Sequence, residues 1–240
     1  MKNKSNYNYI SLFSGCGGFD YGFKNNDFRC LGAFDIDPNV ISVFKNNIAG
    51  PAYIHDLTTK ELPNRIINSV DVVISGSPCQ GFSTIGKRII DDPRNHLLLC
   101  GGEIAVNLNA SVFVCENVMG SDSGEHKKYW DKLIAYLESH GYRTKKERYN
   151  VSELGIPQNR RRIILFAWKS KRLKNFDSKI SIVKNKGLSA TLLIPKRKIH
   201  NHEIEFIDKK SPDYKIAHAI GQGQKLCNVR GGPRSLRTIS

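Results

Sequence analysis

The sequence predicts an α/β domain in which a mostly parallel β-sheet carries helices on both faces. Over the first 169 residues, short apolar runs rich in β-branched side chains alternate with helix-like segments. This alternation is typical of parallel sheets with crossover helices. Glycine-rich, acidic or cysteine-containing motifs come directly after the apolar runs, and open α/β sheets bind ligands at the carboxyl ends of their strands. The functional residues are therefore expected along one edge of the sheet.

Six short apolar runs bounded by polar or turn-forming residues are predicted as strands: 9–13, 30–34, 52–54, 70–75, 110–115 and 161–168. Helices are expected between them. One should begin at Pro38, where Asp37 can cap it. Another is predicted over residues 126–140, because apolar side chains recur there at helical spacing and Gly141 comes next.

The 240-residue chain has a formal net charge of +15, and this charge is unevenly distributed. Residues 1–169 contain 21 Lys and Arg against 17 Asp and Glu, whereas residues 170–240 contain 16 against 5. The sequence thus predicts a mildly charged domain and, after it, a basic segment. Such a segment attracts polyanions such as nucleic acid, but a solvated, partly disordered extension has the same composition, so charge alone leaves both open.

The sequence contains no run of about 18 apolar residues, and its N-terminal apolar stretch is too short for a signal peptide. A soluble cytoplasmic protein is expected. The six cysteines form no CxxC pair and no zinc-like cluster with histidine, so free thiols and no metal are expected. Cys100 and Cys115 lie in apolar surroundings that suit the core, whereas Cys79 does not.

A glycine-rich turn comes after the first predicted strand, in the sequence SLFSGCGGFDYGF. Gly15, Gly17 and Gly18 permit a tight turn and let a ligand approach the backbone closely. Alone, such a turn is compatible with NAD, FAD, S-adenosylmethionine or no ligand at all. Its spacing is not GxGxxG, which argues against a dinucleotide pyrophosphate.

Carboxylates lie at the ends of the second and third predicted strands. Asp35 begins DIDP at the tip of strand two, where a carboxylate can accept two hydrogen bonds from ribose hydroxyls. Asp56, in YIHDLT, could accept one from the amine of an adenine. Taken singly, each carboxylate is better explained as a surface or capping residue. Three suitable strand ends in a row favour an adenosine-type cofactor without a pyrophosphate.

The fourth predicted strand leads into GSPCQGFS. Pro78 and the flanking glycines hold Cys79 in a polar turn at the rim of the sheet, where partial exposure suits a reactive thiolate. The next segment, GKRIIDDPRNH, has the composition of a mobile loop that closes over an anionic ligand. An ordinary solvated loop is the alternative.

Two more motifs flank the last predicted strands. Glu116 comes after the fifth strand in VFVCENV, where burial would raise its pKa and suit it to donate a proton; the alternative is a carboxylate paired with an arginine. Asn117 would position the chain. In GIPQNRRRIILF, Gln158, Arg160 and Arg162 alternate onto one face as the last strand begins. Guanidinium groups there suit carbonyl or phosphate oxygens, or protect an edge strand.

In this order and spacing, the segments SLFSGCGGFDYGF, FDIDP, GSPCQGFS, FVCENV and GIPQNRRRIILF closely resemble the motifs of the cytosine-C5 DNA methyltransferases. The resemblance covers about residues 9–168 and continues into the basic segment. It implies a Rossmann-like fold of the class I methyltransferase type, S-adenosylmethionine as cofactor and double-stranded DNA as substrate. It further implies DNA (cytosine-5-)-methyltransferase activity in a restriction–modification system of a prokaryotic cytoplasm.

The resemblance also implies catalytic roles. Cys79 matches the thiolate that adds to C6 of a flipped-out cytosine, and this covalent adduct lets C5 accept the methyl group. Glu116 matches the residue that binds and protonates cytosine N3. Arg162 matches the arginine that contacts O2, and Arg160 matches its neighbour. The loop at 81–92 resembles the family loop that closes behind the flipped base.

On the cofactor side, Phe19 matches the aromatic residue that packs on the adenine, Asp35 the ribose carboxylate and Asp56 the adenine partner. The full set of cofactor-binding residues that the resemblance implies is Gly15, Gly17, Gly18, Phe19, Asp35, Ile36, Asp56, Leu57 and Pro78. No metal is implied.

The resemblance is incomplete towards the C-terminus. The family continues with a target-recognition domain, a late arginine-containing motif and a helix with an Asn near the cofactor, and the last two are not found. The tail GQGQKLCNVRGGPRSLRTIS resembles the inside of a recognition region, so residues 170–240 are interpreted as its incomplete start.

The whole chain has three interpretations: a split subunit completed by a second polypeptide, a truncated product, or, least favoured, a complete reduced protein. The alternative function is DNA binding by a relative that is inactive without a complementing chain. Methylation of RNA, known in one branch of the family, is disfavoured because no Cys-Phe-Thr motif is found.

Overall fold

The fold is known from a computed structural model that describes residues 7–63, 70–78, 92–156 and 158–169, together with two short strands near the C-terminus. Cys79, most of the loop at 81–92, Pro157 and most of the basic segment lie outside the described residues. The predicted boundary between a domain at 1–169 and a region at 170–240 therefore stays a prediction.

A seven-stranded sheet forms the centre of the described domain. Its strands are β1 (Asn8–Leu12), β2 (Arg29–Asp35), β3 (Ala52–Ile54), β4 (Val72–Ser75), β5 (Val112–Val118), β6 (Arg143–Asn150) and β7 (Arg161–Trp168). They lie in the order β3-β2-β1-β4-β5-β7-β6. Neighbouring strands are parallel from β3 to β5, whereas β7 runs antiparallel to both β5 and β6. The predicted mostly parallel sheet is confirmed.

Four helices cover the two faces of this sheet. They are α1 (Gly18–Lys24), α2 (Pro38–Ile48), α3 (Leu97–Asn107) and α4 (Lys127–Ser139). Buried side chains of α3 and α4 pack with those of β1, β4, β5 and β7 in the larger core. On the other face, α2 packs on β2 and β3, and aromatic side chains of α1 pack on β1 and β4. The predicted helices on both faces are confirmed.

The helix ends are explained by local chemistry. Asp37 caps α2 by accepting a hydrogen bond from the Asn39 amide at 2.8 Å, and Pro38 opens that helix as predicted. After α4, Gly141 adopts a φ of 82°, a conformation that glycine takes without steric cost and that ends helices. Each of these predictions is confirmed.

The structure differs from the sequence prediction in two strands. β6 was not predicted, and it forms the polar edge of the sheet beside β7. β5 continues through Glu116 and Asn117 to Val118, because these residues pair with Ile164, Ile163 and Arg162 of β7. Glu116 therefore lies within the strand and not directly after it. The backbone that carries its side chain is thus fixed by the strand pairing.

The remaining described elements are small. Leu226–Cys227 and Arg237–Thr238 form a two-stranded antiparallel pair. In the part of the chain that the structure describes, no helix is both long and apolar enough to cross a membrane. Cys100 and Cys115 are buried as predicted.

Candidate functional site

The strand directions gather the sequence motifs on one rim. β1, β2, β3, β4 and β5 run parallel, so their carboxyl ends share one edge of the sheet. β7 is antiparallel, so its first residues reach the same edge. The glycine turn, the two aspartate motifs, the turn before Cys79, Glu116 and the arginines are thus neighbours along this rim, as the sequence predicts.

The glycine turn after β1 is held by backbone hydrogen bonds. The Ser14 amide donates to the Phe34 carbonyl at 3.1 Å, and the Gly17 amide donates to the Ser14 carbonyl at 3.0 Å. Gly17 has a φ of 86°, and a Cβ there would lie 2.5 Å from Ile48 Cγ1. A Cβ on Gly15 or Gly18 would meet nothing within 4 Å. Gly17 is therefore required for packing, while Gly15 and Gly18 leave open space above the turn.

Asp35 at the end of β2 closes this turn. Its Oδ2 accepts a hydrogen bond from the Gly15 amide at 2.9 Å, and its Oδ1 accepts one from the Asp37 amide at 3.1 Å. The side chain is half-buried, and the neighbouring Ile36 is 66% exposed. A carboxylate has lone pairs left after two such bonds. The Asp35 carboxylate, a hydrogen-bond acceptor, and the apolar Ile36 side chain therefore lie next to each other at the rim.

Phe19 lies in the first turn of α1 and is half-buried. It packs against the cluster around Tyr9 and Ile74, and its ring centroid lies 6.0 Å from that of Phe23. One side of the Phe19 ring is therefore packed against the core, and the rest of the ring stays accessible to solvent. This placement fits an aromatic wall beside the glycine turn.

Asp56 caps a single 3₁₀ turn, Leu57–Thr59, that comes after β3. Its Oδ1 accepts a hydrogen bond from the Thr58 amide at 2.9 Å, and this bond lowers the pKa of the exposed carboxyl below its ordinary value. Leu57 is buried in the larger core. Lys60, at the end of the turn, forms an ion pair of 2.9 Å with Glu103 of α3. The turn is thus fixed at both ends, with the Asp56 carboxylate facing solvent.

The turn that leads to Cys79 is tied to β5. Gly76 donates its amide to the Leu12 carbonyl at 3.1 Å. Asn117 is buried, and its Nδ2 lies 3.2 Å from Ser77 Oγ and 3.3 Å from the Ser77 carbonyl oxygen, donating to both. Pro78 comes next and is half-buried. The chain therefore enters position 79 from a fixed point, while Cys79 itself lies outside the described residues.

Glu116 and Arg162 form an ion pair at the same rim, with 2.5 Å between Glu116 Oε1 and Arg162 Nε. Burial raises the pKa of the Glu116 carboxyl above its ordinary value, and the positive charges of Arg162 and Arg160 act in the opposite direction. Both interpretations of Glu116 thus hold, since it is partly buried and paired with an arginine. Burial therefore favours the protonated form of this carboxyl, while the two arginines favour the ionised form.

The other members of the arginine motif precede or begin β7. Arg160 is exposed, and its carbonyl accepts a hydrogen bond from the Val151 amide at 2.9 Å. Arg161 is exposed, and Arg162 Nη1 donates to its carbonyl at 2.7 Å. Gln158 is exposed as well. Arg160 is near enough to act on the Glu116 pKa, so the motif presents two guanidinium groups to that carboxyl.

Two polar pairs near the rim were not singled out from the sequence. The Asp92 carboxylate is buried and bound by Arg94 through Nε at 2.8 Å and Nη2 at 2.6 Å, which lowers the pKa of Asp92 to about 2. Ser11 Oγ donates a hydrogen bond of 2.9 Å to Asp20 Oδ2, and both residues are buried. The i, i+2 spacing of Asp92 and Arg94 is visible in the sequence, but nothing there marks Asp20 as a partner of Ser11.

The rim therefore has two parts. The first, from the glycine turn to Asp56, combines apolar surface with carboxylates that suit hydroxyl and amine donors. The second combines a raised-pKa carboxyl, two arginines and the turn before a cysteine, which suits proton transfer to a polar, uncharged ring. In the described ranges, no group of three or more His, Cys, Asp and Glu side chains has the arrangement of a metal site.

Comparison with known proteins gives a consistent set of similarities. The profile of a family described as C-5 cytosine-specific DNA methylase matches residues 7–224. The chain is 39% identical over 166 residues to the type II methyltransferase M.XorII of Xanthomonas oryzae pv. oryzae. It is 30% identical over 235 residues to the type II methyltransferase M.DdeI of Desulfomicrobium norvegicum.

A crystal structure described as a DNA modification methyltransferase encoded within an E. coli prophage matches with a TM-score of 0.67 at 25% identity. That match covers 80% of this chain and 56% of the other. The alignments with M.XorII and M.DdeI cover 65% and 95% of this chain, but 39% and 53% of those proteins. The chain thus spans about half the length of the relatives it matches, or less.

Proposed function

The chain belongs to the C-5 cytosine-specific DNA methylases, and on this premise we propose that it transfers a methyl group from S-adenosylmethionine to C5 of cytosine in DNA. Residues 1–169 would form the catalytic domain, and residues 170–240 would begin a target-recognition region. Type II methyltransferases among the relatives favour a place in a restriction–modification system.

The Glu116–Arg162 ion pair carries this proposal. It lies at the carboxyl edge of the sheet, next to the turn that Asn117 anchors and that leads directly to Cys79. A proton donor, a guanidinium and a cysteine along one rim suit the activation of a pyrimidine ring.

The proposed reaction begins when the Cys79 thiolate adds to C6 of the cytosine and forms a C–S bond. The ring electrons move towards N3, which takes a proton from Glu116, so C5 becomes enamine-like and nucleophilic. Arg162 donates hydrogen bonds to O2 and stabilises the negative charge that develops on the ring. Transfer of the methyl group to C5 would leave S-adenosylhomocysteine as the neutral thioether. A base then removes the C5 proton, the C–S bond breaks, the Cys79 thiolate is restored and N3 returns its proton to Glu116.

The residues of the first part of the rim fit S-adenosylmethionine. Gly15 and Gly18 leave open space, Ile36 is an exposed apolar side chain, and the Asp56 carboxylate is accessible. Phe19 and Ile36 would flank the adenine, and Leu57, whose side chain is buried in the core, would approach it with its backbone. Asp35 would bind the ribose, and Pro78 would face the methyl donor. When bound, this cofactor supplies an electrophilic methyl group. The chain supplies the pocket that orients it towards the cysteine turn.

The target cytosine must leave the base stack, because its C6 face is otherwise covered by neighbouring bases. The loop at 81–92, which begins beside Cys79, is proposed to close behind the extruded base. Double-stranded DNA is the proposed substrate, and the 16 Lys and Arg of residues 170–240 suit contacts with its phosphates.

The proposal is tested by transfer of radiolabelled methyl groups from S-adenosylmethionine to mixed-sequence DNA, with the purified chain beside Cys79→Ala and Cys100→Ala. Cys100 is a buried thiol of α3, so its replacement is a matched control. Labelling by the wild type and Cys100→Ala, but not by Cys79→Ala, is expected. Labelling that survives Cys79→Ala would overturn the mechanism.

DNA carrying 5-fluorocytosine provides a second readout. Fluorine at C5 cannot leave as a cation, so the final elimination is blocked and a covalent complex that depends on Cys79 is expected.

DNA binding that depends on salt, without labelling or a complex, would instead support the alternative function, a DNA-binding relative that needs a complementing chain. The matches offer no support for a second polypeptide, so its existence stays a prediction. Adding candidate partner chains to this assay tests it.

A further inference from the structure

Resting on the proposed cofactor site, we propose that Asp20 is a positioning residue for cofactor binding. Its buried carboxylate, bonded to Ser11, fixes α1 on the central strand β1 and thereby holds the Phe19 ring and the glycine turn in place. Asp20 does not touch the cofactor in this proposal. It acts through its neighbours in sequence and space.

The geometry gives Asp20 a position that a helix carboxylate rarely has. Asp20 lies in the first turn of α1, yet its side chain is completely buried. Ser11, its hydrogen-bond partner at 2.9 Å, is 1% exposed and lies within β1. Asp and Glu are almost never fully buried unless they are paired. The hydrogen bond therefore links the helix to the strand inside the protein.

Two other titratable groups face this carboxylate from the sheet. Tyr9 of β1 is fully buried, and neither its hydroxyl nor Asp20 Oδ1 has a hydrogen-bond partner among the described residues. Burial raises the pKa of Asp20 to about 6, and the hydrogen bond from Ser11 acts in the opposite direction. Cys30 of β2 lies directly opposite Tyr9 in the strand register. Burial, with a contribution from the negative charge of Asp20, raises the pKa of Cys30 to about 11. Asp20 thus lies in a buried polar cluster that spans α1, β1 and β2.

An apolar residue would fill this position at lower cost, because burying a carboxylate without full compensation is unfavourable. The described ties between α1 and α2 lie near the surface: Asn47 Nδ2 donates to the Cys16 carbonyl, and Lys24 Nζ donates to the Asn47 carbonyl. Exposed bonds of this kind are individually weak. The Ser11–Asp20 bond fixes the seven-residue helix to the sheet from within.

The residues beside Asp20 explain why its position would matter. Phe19 precedes it, and Gly17 and Gly18 form the turn from which α1 begins. A shift of α1 away from Ser11 would therefore move the aromatic wall and the turn together. The expected effect is on cofactor affinity, with less effect on the methyl transfer itself.

The test compares Asp20→Ala, Ser11→Ala and Asp20→Asn with the wild-type chain. Two quantities are measured: the Kd for S-adenosylhomocysteine by calorimetry, and hydrogen exchange of the α1 amides without ligand. Tyr142→Phe is the matched control, because it removes another buried hydrogen bond, 2.6 Å to the Ala110 carbonyl, on the opposite face of the sheet.

Asp20→Ala and Ser11→Ala are expected to raise Kd about tenfold or more, as expected for the loss of a buried hydrogen bond to a charged group. Both should lose exchange protection in residues 18–24 while α4 keeps it. Asp20→Asn retains an oxygen that accepts from Ser11, so its Kd should lie within about threefold of wild type. Tyr142→Phe should lose stability without a change in Kd.

Unchanged Kd and unchanged α1 protection in Asp20→Ala would overturn the proposal. An equal rise in Kd in Tyr142→Phe would do the same, because the effect would then reflect stability alone. If the wild-type chain fails to bind S-adenosylhomocysteine, the cofactor part of the proposed function fails. The exchange data still decide whether Asp20 fixes α1, since selective loss of protection supports that role and uniform protection refutes it.

Discussion

Glu116 and Arg162 approach to 2.5 Å although they lie on strands that run in opposite directions. Arg162 pairs in register with Val118, two residues beyond Glu116 on the same face of β5. The guanidinium therefore leans along the sheet towards the carboxylate. The pair brings the proposed proton donor next to the group that is proposed to bind the same ring.

Replacing Glu116 by Gln is expected to reduce methyl transfer by about 100-fold or more, because the proton donor to the ring is lost. Glu147→Gln is the matched control. Glu147 of β6 pairs in register with Ile164 of β7, which in turn pairs with Glu116 of β5. Glu147 forms its own ion pair with Lys145. Single-turnover labelling of DNA measures both variants. Equal losses in the two would contradict a specific role for Glu116.

Arg162→Ala is expected to raise the pKa of Glu116 further. Burial raises this pKa and the charge of Arg162 opposes the rise, so removing the arginine leaves the effect of burial less opposed. The titration of ¹³C-labelled glutamate carboxyls by NMR measures the change. Arg161→Ala, which removes an exposed neighbour, should leave the titration midpoint in place, and a midpoint that falls in Arg162→Ala would contradict the assignment.

Asn117→Ala is expected to release the turn before Cys79, because the bonds from Nδ2 to Ser77 are lost. We expect the free energy of unfolding to fall by about 1–3 kcal/mol. We also expect the rate of methyl transfer to fall even under conditions in which the variant remains fully folded. Urea unfolding and single-turnover labelling provide the two numbers. Asn107→Ala, a change at the last position of α3, is the control, and full activity in Asn117→Ala would refute the anchoring role.

Gly17→Ala should destabilise the protein, whereas Gly18→Ala should not. A methyl group at Gly17 would meet Ile48 at 2.5 Å in a left-handed backbone conformation, whereas one at Gly18 meets nothing within 4 Å. We expect Gly17→Ala to lower the free energy of unfolding by about 2–4 kcal/mol and Gly18→Ala to leave it nearly unchanged. Chemical denaturation measures the difference, and equal stabilities would show that the turn adjusts freely.

Asp20 makes stability depend on pH in a specific direction. Burial raises the pKa of the folded carboxyl from 3.8 to about 6, so the folded protein binds this proton more tightly than the unfolded chain. The stabilisation is present below about pH 4 and declines as the pH rises through 6. Relative to Asp20→Asn, the wild type should lose about 2–3 kcal/mol of unfolding free energy between pH 4 and 7. Urea unfolding at each pH measures this loss, and a constant difference across the range would contradict it.

The sequence predicted the parallel core of the fold because each of those strands is a short apolar run. It did not reveal β6, RTKKERYN, because a polar edge strand has no apolar face to mark it. Helix α3 was not delimited either. Its Gly101 and Gly102 disfavour a helix locally, yet a Cβ at Gly102 would lie 2.4 Å from Leu133 Cδ1, so close packing against α4 explains the glycine.

For the site, the sequence identified which residues reach the rim but not their binding partners within the protein. Asp35 was expected to accept bonds from ribose, and its two oxygens also accept the Gly15 and Asp37 amides. Contacts of this kind depend on the conformation of the turn, which no residue pattern specifies. The link from Ser11 to Asp20 was missed for the same reason.

The reversed direction of β7 has a further consequence for how such a rim can be assembled. In a wholly parallel sheet each strand brings to the rim only the residues at its C-terminal end, so each additional strand that contributes to the site needs its own crossover connection. β7 brings the residues at its N-terminal end, and Arg162 reaches the rim as its second residue, after the connection over residues 151–160 that comes from β6. If β7 ran parallel, the same arginine would begin the strand at the far edge, roughly 20 Å away. Because β7 alone is inverted in this sheet, the C-terminal end of β6 and the N-terminal end of β7 lie at the same rim.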